Sequence, residues 1–430
     1  MEAIMPEVNS PQRLSEQIRQ IRAAFARQGV SINTFPPGAP AGQAEFLFRP
    51  DRVLARADRA VDVTPQLNTR LGPANVSRHD PIPGLSAFSV SSRSAAEMLQ
   101  LVDDVNAAVP DPRGPVVAID HVLHITSASC CPATEPELVG GHDLTTPPDP
   151  VPPVNPDAAA GGGVKVAVID TGLLSGVVQL HSWLRNAPKV DGEPEDPDPI
   201  LSSHYRGHGT FVAGVLRAMA PKAEVYVHAL MSSGGAICES DLVPRLVAAL
   251  DTGPHFISMS AGTRTTAANV LLGLQVFRDD HLSHTNTILV CAAGNDGDGG
   301  PFAPASLGWP EAVAVGALDA DGSLAVYSNR GPVGPGDWVD VYARGSDVVN
   351  AYPNGAYTYT EPPSVPPKVV QFVNGMAKWS GTSFSTPLVS GLFAAWLSAN
   401  PGKQPKDAWA ALKIVADANA PLHAGRPALP

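Results

Sequence analysis

The sequence has no apolar run approaching the roughly 18 residues of a membrane-crossing helix, so no such span is expected along its 430 residues. Basic charge is also short: 29 Lys and Arg stand against 41 Asp and Glu, a formal net charge of -12. That balance disfavours nucleic acid or an acidic membrane as the main partner. Cysteine is scarce and poorly spaced for chemistry. Of the four, Cys130 and Cys131 are adjacent while Cys238 and Cys291 stand apart, and no C-x-x-C pair exists. Cys291, in TILVCAAG, reads as a buried thiol packed like a small hydrophobe. A disulfide from Cys130 or Cys131 to Cys238 would need an oxidising compartment and is not expected. The start, MEAIMPEVNSPQRLSEQ, lacks a basic cluster ahead of an apolar run. No ordinary signal peptide is read there, which points to the cytoplasm unless a leader was removed. No internal repeat stands out.

What is present is the composition of a globular protein: 44% hydrophobic and 16% charged residues, with Gly 39 and Pro 44 promising many loops. The length allows one large domain and a smaller one. Residues 1–42 read as a helix and loop, since Leu14, Ile18, Ile21 and Phe25 share a stripe and Gly29 suits the stop. Residues 43–128 read as a small α+β unit. There EFLFRP, GLSAFSV and VVAIDHVLHIT look like strands, and Ser94 with Glu97 forms a capping box before Met98, Leu101, Val102 and Val105. Residues 129–163, rich in Pro and Gly without periodicity, read as a linker. From 164 to 415 the apolar runs VKVAVI, EVYVHA, FISM, TILVCA and AVAV alternate with helices expected near His208, Ser240, Thr266 and Ser383. This predicts an α/β fold: a mainly parallel sheet sandwiched by helices, with sites at the carboxyl ends of its strands. Residues 416–430 are left as a tail.

Four motifs at those strand ends and helix starts carry polar groups suited to chemistry. VKVAVI runs into Asp170-Thr171-Gly172, placing a carboxylate at the sheet edge. A helix then opens at His208 in HGTFVAG. Asn295 follows TILVCAAG, and GTSFSTP places Ser383 at a helix N-terminus, where free N–H groups favour a developing anion. Each alone has a plain structural reading: a capping Asp, a solvated His, a turn Asn, a Ser/Thr cap. His204 and His208 make an H-x-x-x-H spacing, but the glutamate of the zincin motif is missing and no zinc is expected. Together the four supply an orienting carboxylate, a base, an oxyanion donor and a nucleophile. The order Asp, His, Ser is that of the subtilisin type.

On VAVIDTG, HGTFVAG and GTSFSTP the chain resembles the subtilisin-like (subtilase) serine peptidases from about Val164 to Val415. The resemblance implies that family's three-layer fold and an Asp170–His208–Ser383 triad with Asn295 as oxyanion donor. It implies a serine endopeptidase, with protein or peptide substrates and no required cofactor. FISMSAGT is similar to the family's stretch beside the S1 pocket, so Ser260, Ala261 and Gly262 are expected against the substrate backbone. MSSGGA, with Ser233 and Gly234, is similar to the strand pairing with substrate upstream of the cut. An apolar P1 residue is expected, because no acidic cluster sits in SMSAGT. A histidine where sedolisins carry glutamate excludes that related family.

The family's calcium insertion is missing between HGTFVAG and EVYVHAL. The acidic loop Asp191 to Pro199 offers oxygens for calcium, but its prolines and irregular spacing favour a solvated loop. Residues Pro353 to Lys378 read as an extra loop bordering the cleft. The front unit resembles the family's inhibitory propeptide, which implies a zymogen in which Val122 to Thr126 block the site until cleavage near Thr126. Two other readings stay open: a narrow processing enzyme for a dedicated peptide, and a non-hydrolytic peptide-binding protein using the same cleft.

Overall fold

The stripe of Ile18, Ile21 and Phe25 is turned inward on helix α1 (Pro11–Arg27), where each is no more than 3% exposed. The computed structural model describes residues 11–91, 93–125, 134–140, 147–195, 205–231, 234–267, 269–332, 336–359 and 368–429. After α1 the front unit runs β1 (Phe46–Arg56), α2 (Ala60–Leu71), β2 (Val76–Ile82), β3 (Leu85–Val90), α3 (Ala95–Ala108) and β4 (Val117–His124). The capping box at Ser94 and Glu97 forms as expected. Two elements were not expected from the sequence. Helix α2 carries Pro65 in its interior, and β2 is polar and largely exposed, so neither shows the usual signal.

Period-two alternation gives the front sheet two buried faces. Phe48, Val53, Phe88, Val117 and Ile119 face α2 and α3. Leu54, Ala87, Ala118 and Leu123 face the second domain, where they meet Leu242, Leu246, Val276 and Phe277. The front unit therefore lies against the rest of the chain through an apolar sheet face.

The second domain runs β5 (Lys165–Asp170), α4 (His208–Met219), β6 (Glu224–Ala229), β7 (Ala236–Cys238), α5 (Glu239–Asp251), β8 (Phe256–Met259), α6 (Leu272–Asp280), β9 (Ile288–Ala292), β10 (Ala312–Leu318), β11 (Val341–Arg344), α7 (Thr382–Ala399) and α8 (Pro405–Asn419). Its main sheet is parallel, in the order β11-β10-β9-β8-β5-β6, with Asp191–Gly192 adding a short strand beyond β6. Val166, Val168, Phe256 and Val290 point to α4 and α7, while Ile169, Ile257, Met259 and Leu289 point to α5 and α6. This is the expected sheet between helical layers. The helix expected near Thr266 begins later, at Leu272; Thr266 instead closes a turn, its carbonyl accepting from Asn269 N at 3.0 Å.

Helices α4 and α7 cross at Gly391, where an added Cβ would lie 2.6 Å from Met219 Cβ and 2.7 Å from the Leu216 carbonyl. Gly391→Ala is therefore expected to destabilise the domain by about 1–3 kcal/mol through overpacking, measured as a lower denaturant midpoint at unchanged m-value.

The segment read as a linker is stitched to this body. Glu137 and Lys378 exchange backbone bonds of 2.8 and 2.9 Å, as do Val151 and Val349. At the other end α8 runs through position 415, and Leu429 N donates to Tyr342 O at 2.8 Å, so the described tail belongs to the same body. Cys238 and Cys291 are buried thiols; Cys130 and Cys131 lie outside the described residues. No described helix is long and apolar enough to cross a membrane.

Candidate active site

The four sequence motifs meet at the carboxyl edge of the sheet, because β5 and β9 end there and α4 and α7 begin there. Asp170 closes β5 and is fully buried; its Oδ1 accepts from Thr171 N at 2.8 Å and from His208 Nδ1 at 2.7 Å. His208 opens α4 with its ring against Trp379 and Phe384, both 5.4 Å away between centroids. Phe384 directly follows Ser383. The Asp170 bond uses one ring nitrogen and fixes which of the two carries the proton. Among the described residues, His208 Nε2 and Ser383 Oγ have no hydrogen-bond partner, though both are buried.

Ser383 sits in the first turn of α7, where backbone N–H groups have no carbonyl four residues back to bond. Pro387, in the same helix, lacks the N–H that would bond the Ser383 carbonyl. Ser260 replaces that donor: its Oγ donates to Ser383 O at 3.2 Å. The Ser260 side chain is thus committed to the serine's own backbone rather than to a cleft, a use the sequence motif did not suggest.

Asn295 approaches from the end of β9. Its Oδ1 accepts from Thr382 N and Thr382 Oγ1, both at 2.9 Å, which orients the amide and sets its NH₂ end opposite. Thr382 Oγ1 in turn accepts from Gly294 N at 3.2 Å. Thr382 therefore positions Asn295, although the sequence offered it only a capping role.

Two chain edges flank this site, and both are occupied by the end of the front unit. Val122, Leu123 and His124 pair antiparallel with Cys238, Ile237 and Ala236 of β7. On the opposite side His124 N donates to Gly262 O at 2.9 Å and Gly262 N returns to His124 O at 3.0 Å. Ile125 N then donates to Gly235 O at 2.9 Å. The last strand of the front unit thus lies between the two segments that the resemblance assigned to substrate. Thr126 lies outside the described residues.

The upstream segment differs in detail from expectation. Its strand is Ala236–Cys238 rather than MSSGGA, and Ser233 lies outside the described residues. Gly234 faces α1: a Cβ there would be 3.1 Å from both Ile21 Cα and Ala24 Cβ. Helix α1 packs Ile18, Ile21 and Phe25 against Ala236, Cys238 and Val122, and Gln17 Nε2 donates to Tyr205 OH at 3.2 Å. Tyr205 in turn meets the His208 ring edge-on at 6.4 Å.

Buried polar groups hold the front unit in place. The Asp120 carboxylate, at 0% exposure, accepts from Ser240 N at 2.9 Å and Ser240 Oγ at 2.7 Å at the start of α5. Burial pushes Asp120 up to about 6, against the lowering effect of the Ser240 bonds. The neighbouring His121 is pushed down to about 4, again by burial. Among the described residues no group of three or more His, Cys, Asp or Glu is placed to hold a metal; residues 196–199 of the acidic loop lie outside them.

The subtilase family profile matches residues 161–426, well over half of the chain. The chain belongs to the subtilase family. This subtilase is 30% identical to the thermophilic serine proteinase of Bacillus sp. (strain AK1) over 59% of its own length, and spans only 57% of that relative. It is likewise 30% identical to thermitase of Thermoactinomyces vulgaris, over 61% of this chain and 84% of thermitase. A solved structure, that of the prenylagaramide maturation protease PagA, aligns at 26% identity over 61% of this chain and 85% of its own, with a TM-score of 0.42.

Proposed function

We propose that this subtilase is a serine endopeptidase held inactive by its own front unit. The observation that carries the reading is the Asp170–His208 pair beside a buried serine in the first turn of a helix. Ser383 Oγ attacks the scissile carbonyl carbon while His208 Nε2 takes the hydroxyl proton. Asp170, bonded to Nδ1, holds the ring in that tautomer and stabilises the imidazolium. The oxyanion is received by the Asn295 NH₂ group and the Ser383 N–H. Collapse breaks the C–N bond, and the proton on Nε2 passes to the departing amine. Water then attacks the acyl-enzyme ester by the same proton route, restoring Ser383.

Substrate binds as an added strand, in the place held by Val122–Ile125, with main-chain bonds to Gly235 and Gly262. Main-chain pairing tolerates many side chains, so broad endopeptidase action is expected. Occupation of that place by the chain's own strand supports self-inhibition, with cleavage near Thr126 as the first turnover. No cofactor enters these steps.

Asn295→Ala is expected to lower kcat by roughly 10²–10³-fold with little change in KM, since the amide acts on charge that exists only in the transition state. Steady-state kinetics on a peptide substrate checks this. The function itself is tested with a random peptide library incubated with the purified protein. Internal cuts that vanish in Ser383→Ala are the expected result. A single preferred cut would favour a dedicated processing enzyme, and no cuts at all would favour a peptide-binding protein.

A further inference from the structure

We infer that Glu195 is a positioning residue for this reaction, clamping the start of the His208 helix to the strand end that carries Asp170. The inference rests on the serine-peptidase reading and deepens it.

Glu195 lies on the loop after the short edge strand, between the two motifs and outside both. Its carboxyl oxygens stand 2.8 and 3.0 Å from Gly207 N, the residue just before His208. Gly207 is left-handed (φ 77°), and a Cβ there would lie 2.5 Å from Pro353 Cδ, so the chain makes a tight turn into α4. The Glu195 backbone packs on the same strand end, where a Cβ on Gly172 would lie 2.8 Å from both Glu195 N and Glu195 Cα. Thr171 follows Asp170, and its Oγ1 accepts from Gly209 N at 3.1 Å. The N–H groups of both glycines flanking His208 are thus held, Gly207 by Glu195 and Gly209 by Thr171.

Helix starts present N–H groups that need acceptors, and here the two acceptors also join α4 to β5. The loop is itself held, with Leu173 N donating to Glu193 O at 2.8 Å and Glu195 N to Leu173 O at 3.3 Å. The Glu195 carboxyl is pushed up to about 8, first by burial, with Asp170 adding to the rise and Gly207 N–H and Arg206 opposing it. That rise favours the neutral carboxyl, so burial works against a second negative charge beside Asp170. The effect of Glu195 passes through the placement of His208.

The test compares Glu195→Ala, Glu195→Asp and Glu195→Gln with the unaltered protein. Three quantities are read: the labelling rate of Ser383 by a small fluorophosphonate, kcat and KM on one peptide, and the melting temperature. A displaced catalytic group loses up to roughly 10²-fold in rate. Alanine is expected to slow labelling and kcat by about 10- to 100-fold with KM within about threefold, and Asp, one methylene too short to reach Gly207 N, by a similar factor. Gln, which keeps an acceptor for Gly207 N, should stay within about threefold. If Ala does not fold, the Asp and Gln pair decides. Equal labelling rates for unaltered, Ala and Asp proteins would overturn the positioning role while leaving the peptidase reading intact. Absence of labelling in the unaltered protein after the front unit has been cleaved away would overturn the peptidase reading and this role with it.

Discussion

His208→Ala is expected to reduce peptide turnover by about 10⁶-fold, the scale on which a serine triad fails when its base is removed. Geometry explains the size. His208 Nδ1 is committed to Asp170 at 2.7 Å, so Nε2 is the only ring nitrogen left to accept the Ser383 proton. Among the described residues Ser383 Oγ has no hydrogen-bond partner, so no second base stands ready to replace His208. Asp170→Asn should lower kcat by about 10⁴-fold, since an amide reverses the hydrogen-bond demand at Nδ1 and selects the wrong tautomer. The decisive feature is non-additivity. A His208→Ala and Ser383→Ala double variant should be no slower than either single one, because the two groups act as a unit. Additive losses would mean that they act separately and would contradict the assignment.

Leu123→Asp is expected to raise the initial activity of the unprocessed chain by about 10²-fold. Leu123 is fully buried, centred in the strand that pairs with Ile237. A carboxylate there is left without a partner in an apolar seat, which should expel the strand from the cleft. A tethered strand competes at an effective concentration on the order of millimolar, so a substrate near 10 µM is outcompeted about 100-fold while the strand stays bound. Progress curves would show a lag for the unaltered chain and none for the variant. Equal curves, with both proteins folded, would remove the front unit from the inhibitory role. Helix α1 adds to the seat, since Ile21 and Ala24 pack against Gly234.

The second domain was readable because parallel strands buried on both faces leave continuous apolar runs, and each run here ends in a small or polar residue. Asp170 and Asn295 follow such runs, and His208 and Ser383 open helices, so all four groups were legible in the order Asp170, His208, Asn295, Ser383. Helix α2 was missed because Pro65 interrupts its pattern, although Val63 and Leu67 are fully buried. Helix α6 starts at Leu272 rather than near Thr266, whose side chain accepts from Asn269 N within a turn. Side chains whose value is relational were the hardest to find. Pro387 does carry a legible signal, since a proline inside a helix frees the carbonyl four residues back, and that carbonyl belongs to Ser383. Glu195 and Thr382 carry none: only the fold brings them to Gly207 and Asn295.

The assignment of Ser383 as nucleophile is tested most directly by treating the purified protein and its Ser383→Ala form with a fluorophosphonate, followed by peptide mass spectrometry. The expected result is one added phosphonyl group on the peptide carrying GTSFSTP, located at Ser383, with none on the alanine form and none on a His208→Ala form. A label at Ser385 or elsewhere, or equal labelling of the alanine form, would contradict it.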